Sequence, residues 1–532
     1  MSDRREFLKL TAATLATIAI SKSAHAESPH LDLEEITIAE LQSGLQSGKW
    51  TSASLTRAYL DRIAALDKSG PKLNSIIELN PDAESIAAQA DADRKSGKVR
   101  GPLHGIPVLI KDNISTADRM QTTAGSLALI GAGAPNNKDA FMAAQLRRAG
   151  AVLLGKTNLS EWANFRSGHS TSAWSGRGGQ THNPYALDRN PSGSSSGTGA
   201  AVSGNLCAVG IGTETDGSIV SPSCSNGLVG IKPTVGLVSR AGIIPISHTQ
   251  DTAGPMARCV ADAAALLAVI AGADPDDAAT SASAGHISPD YTKFTDPNGL
   301  RGLRIGVVAK FAKATAEVDK LFQESVAAMK SAGAEIIDNL DFATQGKFDE
   351  AENVVLQCEF KADLNKYLAA LGPQAKVRTL ADVIAFNDAH AATEMPYFGQ
   401  EEMIKSQARP GLDSDEYKKA LADCRRLSRD EGIDAMLRKD RLDVLIGITG
   451  TPAWFTDWVN GDAFGFSDSS LAAVAGYPHI TVPMGYIFGL PVGISFIGAA
   501  WSEPTLIKAA YAYEQATKHR RAPKFLPTVQ FS

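Results

Sequence analysis

The chain reads as an α/β protein, a layered sheet with helices on both faces, and three observations predict it. Short, continuously apolar runs such as Val108–Ile110 and Ala151–Leu154 have the length and bounding turns of buried strands. Amphipathic helical patterns separate them, and the order helix, glycine, apolar strand recurs over Leu321–Ile337 and near Asp443–Ile446. Between Ser192 and Gly230 two Gly/Ser-rich turns enclose one small-residue helix and one apolar strand, and that is where the chain looks built to hold a ligand.

The elements follow in order. Arg4 and Arg5, an apolar stretch from Leu10 to Ile20 too short to span a bilayer, and Ala24-His25-Ala26 have the arrangement of a twin-arginine export signal, with Asp3 where Ser or Thr is usual. Residues 1–26 are therefore expected to be removed from a chain exported in the folded state to the periplasm or the medium. The export machinery is then a partner. Thr37 and Glu40 form a capping box ahead of a first helix, and Leu55, Tyr59, Ile63 and Leu66 make the stripe of a second. Ser75–Leu79 is a strand, and Asn80-Pro81 leads an Ala-rich helix that stops near Gly97. Val108–Ile110 ends on Lys111-Asp112-Asn113; a helix with Phe141, Met142 and Leu146 stops at Gly150 and feeds Ala151–Leu154. Leu206–Ile211 is a further strand. The stretch from Gly272 to Asp290 reads as a surface loop and linker, and Glu350–Arg438 as a polar, helical appendage or cap.

Composition narrows the function classes. With 532 residues, 44% of them hydrophobic, the chain can bury a large core, and a net charge of −6 leaves no basic footprint for nucleic acid or an anionic membrane. Cys207, Cys224, Cys259, Cys358 and Cys424 lack C-x-x-C spacing and are odd in number, which speaks against a disulfide scaffold or a zinc site. Cys224, six residues after Ser218, has no histidine nearby in sequence to activate it.

Three places carry chemistry. Pro107-Val-Leu-Ile delivers Lys111 to a strand end within an apolar segment, where desolvation would favour the neutral amine, a general base; the plainer reading is a lysine that snorkels outward or pairs with Asp112. Gly193-Ser194-Ser195-Ser196-Gly197 fits a G-x-S-x-G nucleophile elbow with Ser195 as nucleophile, yet no strand precedes it. Gly212-Thr-Glu-Thr-Asp-Gly-Ser218 follows a strand directly and can turn several N–H groups toward one point, as an oxyanion requires, with Ser218 beside them. The glycines form neither G-x-G-x-x-G nor a P-loop. His104 and Asp251 read as structural, and Trp162, Phe165 and Trp174 as core packing, with the lining of a pocket as the alternative.

With these residues in view, the chain resembles the amidase signature family. GPLHGIPVLIKDN, GAVLLGKTNLSEWA, NPYALDRNPSGSSSG, GIGTETDGSIVSP and GLVGIKPTVGLVSRAGIIPISHTQDTAGPMAR carry the resemblance between Gly101 and Gly272, and AGYPHITVPMG and GLPVGISFIG extend it to the tail. It covers most of residues 27–532, which form one amidase domain on this reading, with 273–438 as the least typical part. The resemblance implies a central twisted mixed sheet covered by helices on both faces, and a Ser-cisSer-Lys triad of Ser218, Ser194 and Lys111. The Gly193–Ser194 peptide bond would be cis, and the backbone N–H groups of Thr215, Asp216, Gly217 and Ser218 would form the oxyanion hole. The implied activity is hydrolysis of a carboxylic amide to acid and ammonia through a Ser218 acyl-enzyme, with no metal or organic cofactor. Where common members carry Gly-Gly-Ser-Ile-Arg, Asp216 and Val220 stand here, and TETDGSIV beside GSSSG is similar to the bacterial peptide amidase branch, which acts on C-terminal peptide amides. Asp216 either binds substrate or braces the turn. The alternatives are an amidotransferase-type subunit, which export disfavours, and an aryl or acyl amidase of small amides. A binding protein would have no use for the triad.

Overall fold

Eleven strands, β1 (Ile76–Leu79), β2 (Pro107–Lys111), β3 (Val152–Thr157), β6 (Val209–Glu214), β7 (Val229–Lys232), β8 (Thr252–Ala257), β9 (Arg304–Val308), β10 (Glu335–Leu340), β11 (Val444–Ile448), β12 (His479–Ile487) and β13 (Leu490–Ile497), form one sheet in the computed structural model. Their order is β1-β3-β2-β6-β8-β7-β12-β13-β11-β9-β10, and β4 (Trp174–Ser175) with β5 (Gly179–Gln180) makes a separate two-residue ribbon. The sheet is mixed: β2 runs parallel to both β3 and β6, whereas β8 is antiparallel to β6 and β7. Every residue of β2, β3, β6, β7 and β8 is buried, the mark of strands covered on both faces.

The structure describes residues 31–531, so the expected leader, 1–26, lies outside the described residues. The chain divides into the units Met1–Asp32 and Leu33–Ser532; of the first only Leu31 and Asp32 are described. Among the described residues no helix is long and apolar enough to cross a membrane.

Local signals explain the elements that frame the site. The Thr37–Glu40 capping box is present, and Gly48 closes that helix in the left-handed conformation. The small-residue helix Ser196–Ser203 is buried on every side. Its glycines permit this, because a Cβ on Gly197 would lie 2.4 Å from the Asn158 carbonyl oxygen, and one on Gly199 2.8 Å from Asn226 Nδ2. The strand expected at Leu206–Ile211 begins three residues later, at Val209: Leu206 N–H bonds back to the Ala201 carbonyl, so the first apolar residues close the helix.

The segment expected as a linker is instead stitched down. Asp274 accepts from Ser239 Oγ at 2.6 Å, and Asp277 pairs with Arg240 at 2.6 Å. The helical appendage is as expected, with Asp349–Ala369, Leu380–Ala389, Glu401–Ala408 and Asp415–Arg425 its main helices. It shares apolar cores with the sheet layer, one of them joining Val355, Cys358 and Tyr417 to Val308 and Leu445.

Candidate active site

The parallel strands β2 and β6 bring Lys111 and Thr213 together at their carboxyl ends, where ligands of open α/β sheets gather. Lys111 is the last residue of β2 and fully buried. Its Nζ lies 2.7 Å from Ser194 Oγ, 2.9 Å from Thr213 Oγ1 and 3.3 Å from the Thr213 carbonyl oxygen. Burial pushes its pKa down to about 7, and the nearby Asp251 and Glu214 carboxyls act in the opposite direction. It makes no pair with Asp112, which sits among Thr123, Gly125 and the Lys156 and Arg177 charges.

In the first turn the Ser194 and Ser195 hydroxyls are closed to solvent. Ser194 and Ser195 have no exposed surface, and the Gly193–Ser194 peptide bond is cis, as the family resemblance implied. The Ser195 hydroxyl donates to the Thr213 carbonyl at 3.1 Å and accepts from Thr213 N–H at 3.2 Å, so β6 occupies the side chain that the elbow pattern had singled out. Ser195 N–H donates to the Ser218 carbonyl at 3.2 Å and joins the two turns.

The second turn opens on a cavity. Ser218 is 8% exposed and lines a space of about 630 Å³ together with Ser192, Gly193, Thr215, Asp216 and Gly217. Among the described residues, the backbone N–H groups of Asp216, Gly217 and Ser218 donate to no protein acceptor, whereas those of Ile219 and Val220 both donate to Glu214 Oε2, at 2.7 and 3.0 Å. Gly217 has φ +77°, and a Cβ there would stand 3.0 Å from Ser469 Oγ. Both oxygens of Asp216 accept serine hydroxyls, Ser469 at 2.5 Å and Ser470 at 2.6 Å, so it braces the turn; burial raises its pKa and these two bonds lower it.

The rest of the cavity wall comes from distant segments, including Phe165, Leu356, Trp454 and Phe464. No lysine or arginine is among its lining residues. Trp162 and Trp174 are buried outside it, and His104 bonds the Ala90 carbonyl at 3.0 Å. The five cysteines are unpaired, and burial pushes the Cys224 thiol up to about 12. A larger cavity of about 1100 Å³, lined in part by Arg240, Asp251 and Tyr367, contains none of the three candidate residues.

Sequence reading missed Thr213, Glu214 and Gln250. The register that pairs Ile110 with Ile211 sets Thr213 near Lys111, and the expected strand, ending at Ile211, leaves Thr213 and Glu214 in the turn, whereas β6 runs on to Glu214. Glu214 and Gln250 act through contacts that no local pattern marks.

A buried lysine bonded to an interior serine, next to a cavity-lining serine beside free N–H groups, has the make-up of an enzyme site. The model of the family described as Amidase matches residues 54–507, and the chain belongs to that family, the amidase signature enzymes. It is 42% identical to a probable amidase of Arabidopsis thaliana, over 94% of this chain and 93% of the relative. The crystal structure of native peptide amidase from Stenotrophomonas maltophilia superposes with a TM-score of 0.89 at 52% identity, covering 93% of this chain and 99% of that one. A glutamyl-tRNA(Gln) amidotransferase component from Pseudomonas syringae pv. syringae is more distant, 34% identical over 92% of this chain and all of the relative. The protein is an amide-hydrolysing enzyme on an α/β fold with helices flanking a large mixed sheet.

Proposed function

We propose that this chain hydrolyses the C-terminal amide of peptides through an acyl-enzyme on Ser218, with Ser194 as proton bridge and Lys111 as base. The 2.7 Å contact between Lys111 and Ser194, sealed from solvent beside the cavity that exposes Ser218, carries the reading. A neutral amine has two hydrogens and one lone pair. The two Thr213 oxygens take the hydrogens, and the lone pair then faces the Ser194 hydroxyl.

Lys111 accepts the Ser194 proton as Ser194 accepts that of Ser218, whose oxygen attacks the amide carbon. The developing oxyanion meets the N–H groups of Thr215, Asp216, Gly217 and Ser218, of which the last three donate to no protein acceptor among the described residues, and each such donor is worth about 3 kcal/mol to the transition state. The proton returns through Ser194 to the leaving nitrogen, ammonia departs, and water brought in by the same relay releases the acid and restores Ser218.

The peptide-amide preference is supported by the 52% identity to the Stenotrophomonas peptide amidase and by the cavity wall. A free amino-acid amide such as glutamine carries a carboxylate, and among the described residues the wall bears Asp216 and Asp462 and no lysine or arginine, with His169 its one side chain able to carry positive charge. The amide end of a peptide is neutral. Export belongs to the same proposal and rests on Arg4, Arg5, the apolar stretch to Ile20 and Ala24-His25-Ala26.

Ammonia release from matched peptide amides, short aliphatic amides, aryl amides and free glutamine tests the substrate class. Peptide amides should lead in kcat/KM, and a preference for glutamine or anilides overturns the assignment. Cell fractionation of the full chain, with Arg4→Lys plus Arg5→Lys as control, should find the enzyme outside the cytoplasm only when both arginines are present.

A further inference from the structure

The helical appendage sends one helix to the back of the oxyanion turn. Helix Asp349–Ala369 carries Glu352, Glu359 and Asp363 at i, i+7 and i+11, hence on one face. All three meet the segment Ile246–Asp251. Glu359 has no exposed surface in its side chain, and its Oε2 accepts Ser247 Oγ at 2.5 Å, Thr249 Oγ1 at 3.0 Å and Thr249 N–H at 3.1 Å. Its other oxygen accepts the Tyr417 hydroxyl at 2.6 Å, with His248 Nε2 at 3.4 Å. Asp363 accepts His248 N–H at 3.0 Å, and Glu352 accepts Gln250 Nε2 at 2.9 Å.

The segment so gripped holds Thr215. Asp251 Oδ2 gathers the N–H groups of Ile246 and Ser247 at 2.8 and 2.9 Å, and its Oδ1 accepts Thr215 Oγ1 at 2.6 Å. Gln250 Nε2 also reaches the Thr215 carbonyl at 3.3 Å. Thr215 directly precedes Asp216 and Gly217, so two side chains of the gripped segment fix the turn from behind.

We infer that Glu359 is a positioning residue for the oxyanion turn, acting through Ser247 and Thr249 on the segment that holds Thr215. The inference rests on the assignment of that turn as the oxyanion hole. It gives the appended helices a part in the chemistry beyond covering the sheet: an oxyanion hole works only when its donors are fixed before charge develops, and Glu359 ties them to the inner face of a half-buried helix.

The test compares Glu359→Ala, Glu359→Gln, Tyr417→Phe and Thr249→Val on one peptide amide, with melting temperature measured beside kcat and KM. Glu359→Ala should lower kcat about tenfold, part of the 100-fold or more that one oxyanion donor carries, with KM within about twofold of the parent. Glu359→Gln keeps an oxygen for the loop and an amide to donate to Tyr417, and should recover kcat to within about threefold. Tyr417→Phe removes only the bond on the helix side, so it should lower the melting temperature without lowering kcat. Thr249→Val keeps the backbone donor and should lower kcat about threefold; it decides the question if Glu359→Ala does not fold. Unchanged kcat in Thr249→Val and in any folded Glu359→Ala overturns the inference. So does a drop in Tyr417→Phe as large as that in Glu359→Ala. Ser218→Ala in the same assay separates the two readings: if it stays active the oxyanion assignment itself fails, and if it is inactive while Glu359→Ala is fully active only the positioning role fails.

Discussion

The two serine turns differ in what their hydroxyls face. In the turn at Ser194 the hydroxyls of Ser194 and Ser195 sit without exposed surface, one against the Lys111 amine and the other on the end of β6. In the turn at Ser218 the hydroxyl reaches a cavity and the adjoining N–H groups are free among the described residues. A sealed hydroxyl can pass a proton but cannot meet a substrate; an open one can meet a substrate but has no base of its own. The Ser195 N–H to Ser218 carbonyl bond couples the two.

The largest effect that would break this division is loss of the open turn's nucleophile. Ser218→Ala should reduce amide hydrolysis by about 10⁴-fold or more at unchanged melting temperature, checked by ammonia release and thermal denaturation. Within the closed turn the two serines should separate: Ser194→Ala should cost about 10²- to 10³-fold in kcat, the scale of a lost acid–base group, and Ser195→Ala under about tenfold. Equal losses would erase the distinction between relay and scaffold.

Lys111 gives the next contrast, in pH. Its active form is neutral, so kcat/KM should fall as pH drops below about 7, and residual activity of Lys111→Ala should lack that limb. Stability has the opposite stake. The folded chain binds this proton more weakly than the unfolded chain, so the penalty is full below about pH 7 and disappears as pH rises toward the ordinary lysine value of 10.5. Lys111→Met should therefore melt higher than the parent at pH 6, with the gain shrinking by pH 10. The smallest effect concerns the brace: Asp216→Asn keeps one oxygen for Ser469 or Ser470 and should lower kcat only a few-fold, while Gly217→Ala, at φ +77°, should also destabilise by about 1 kcal/mol.

The sheet layer, Lys111 and Ser218 lie in short stretches with their own logic, apolar runs for β2 and β3 and a glycine-set serine after β6, whereas the local pattern in the first turn marks Ser195 and only the family resemblance points to Ser194. Taken alone, Lys111 was ambiguous in the sequence, and only Ser194 and Thr213, 83 and 102 positions away, remove the ambiguity. The cavity wall was not legible, since Phe165, Leu356 and Trp454 converge from segments with no common pattern. Nor was the hold on Thr215, which runs through side-chain bonds between residues 36 and 112 positions apart. The stretch 272–290 is the surface loop that its Asp, Ser and Pro residues suggest, but nothing local shows that Arg240 and Ser239 bind its carboxylates and hold it in place.

One measurement bears on the division of labour most directly: the rate and site of covalent labelling by a fluorophosphonate, read by intact mass and peptide mapping in the parent, Ser218→Ala, Ser195→Ala and Lys111→Ala chains. The account predicts a single adduct on Ser218, absent from Ser218→Ala, kept in Ser195→Ala and formed far more slowly in Lys111→Ala. An adduct on Ser195, or labelling of Ser218 that ignores the loss of Lys111, would contradict it.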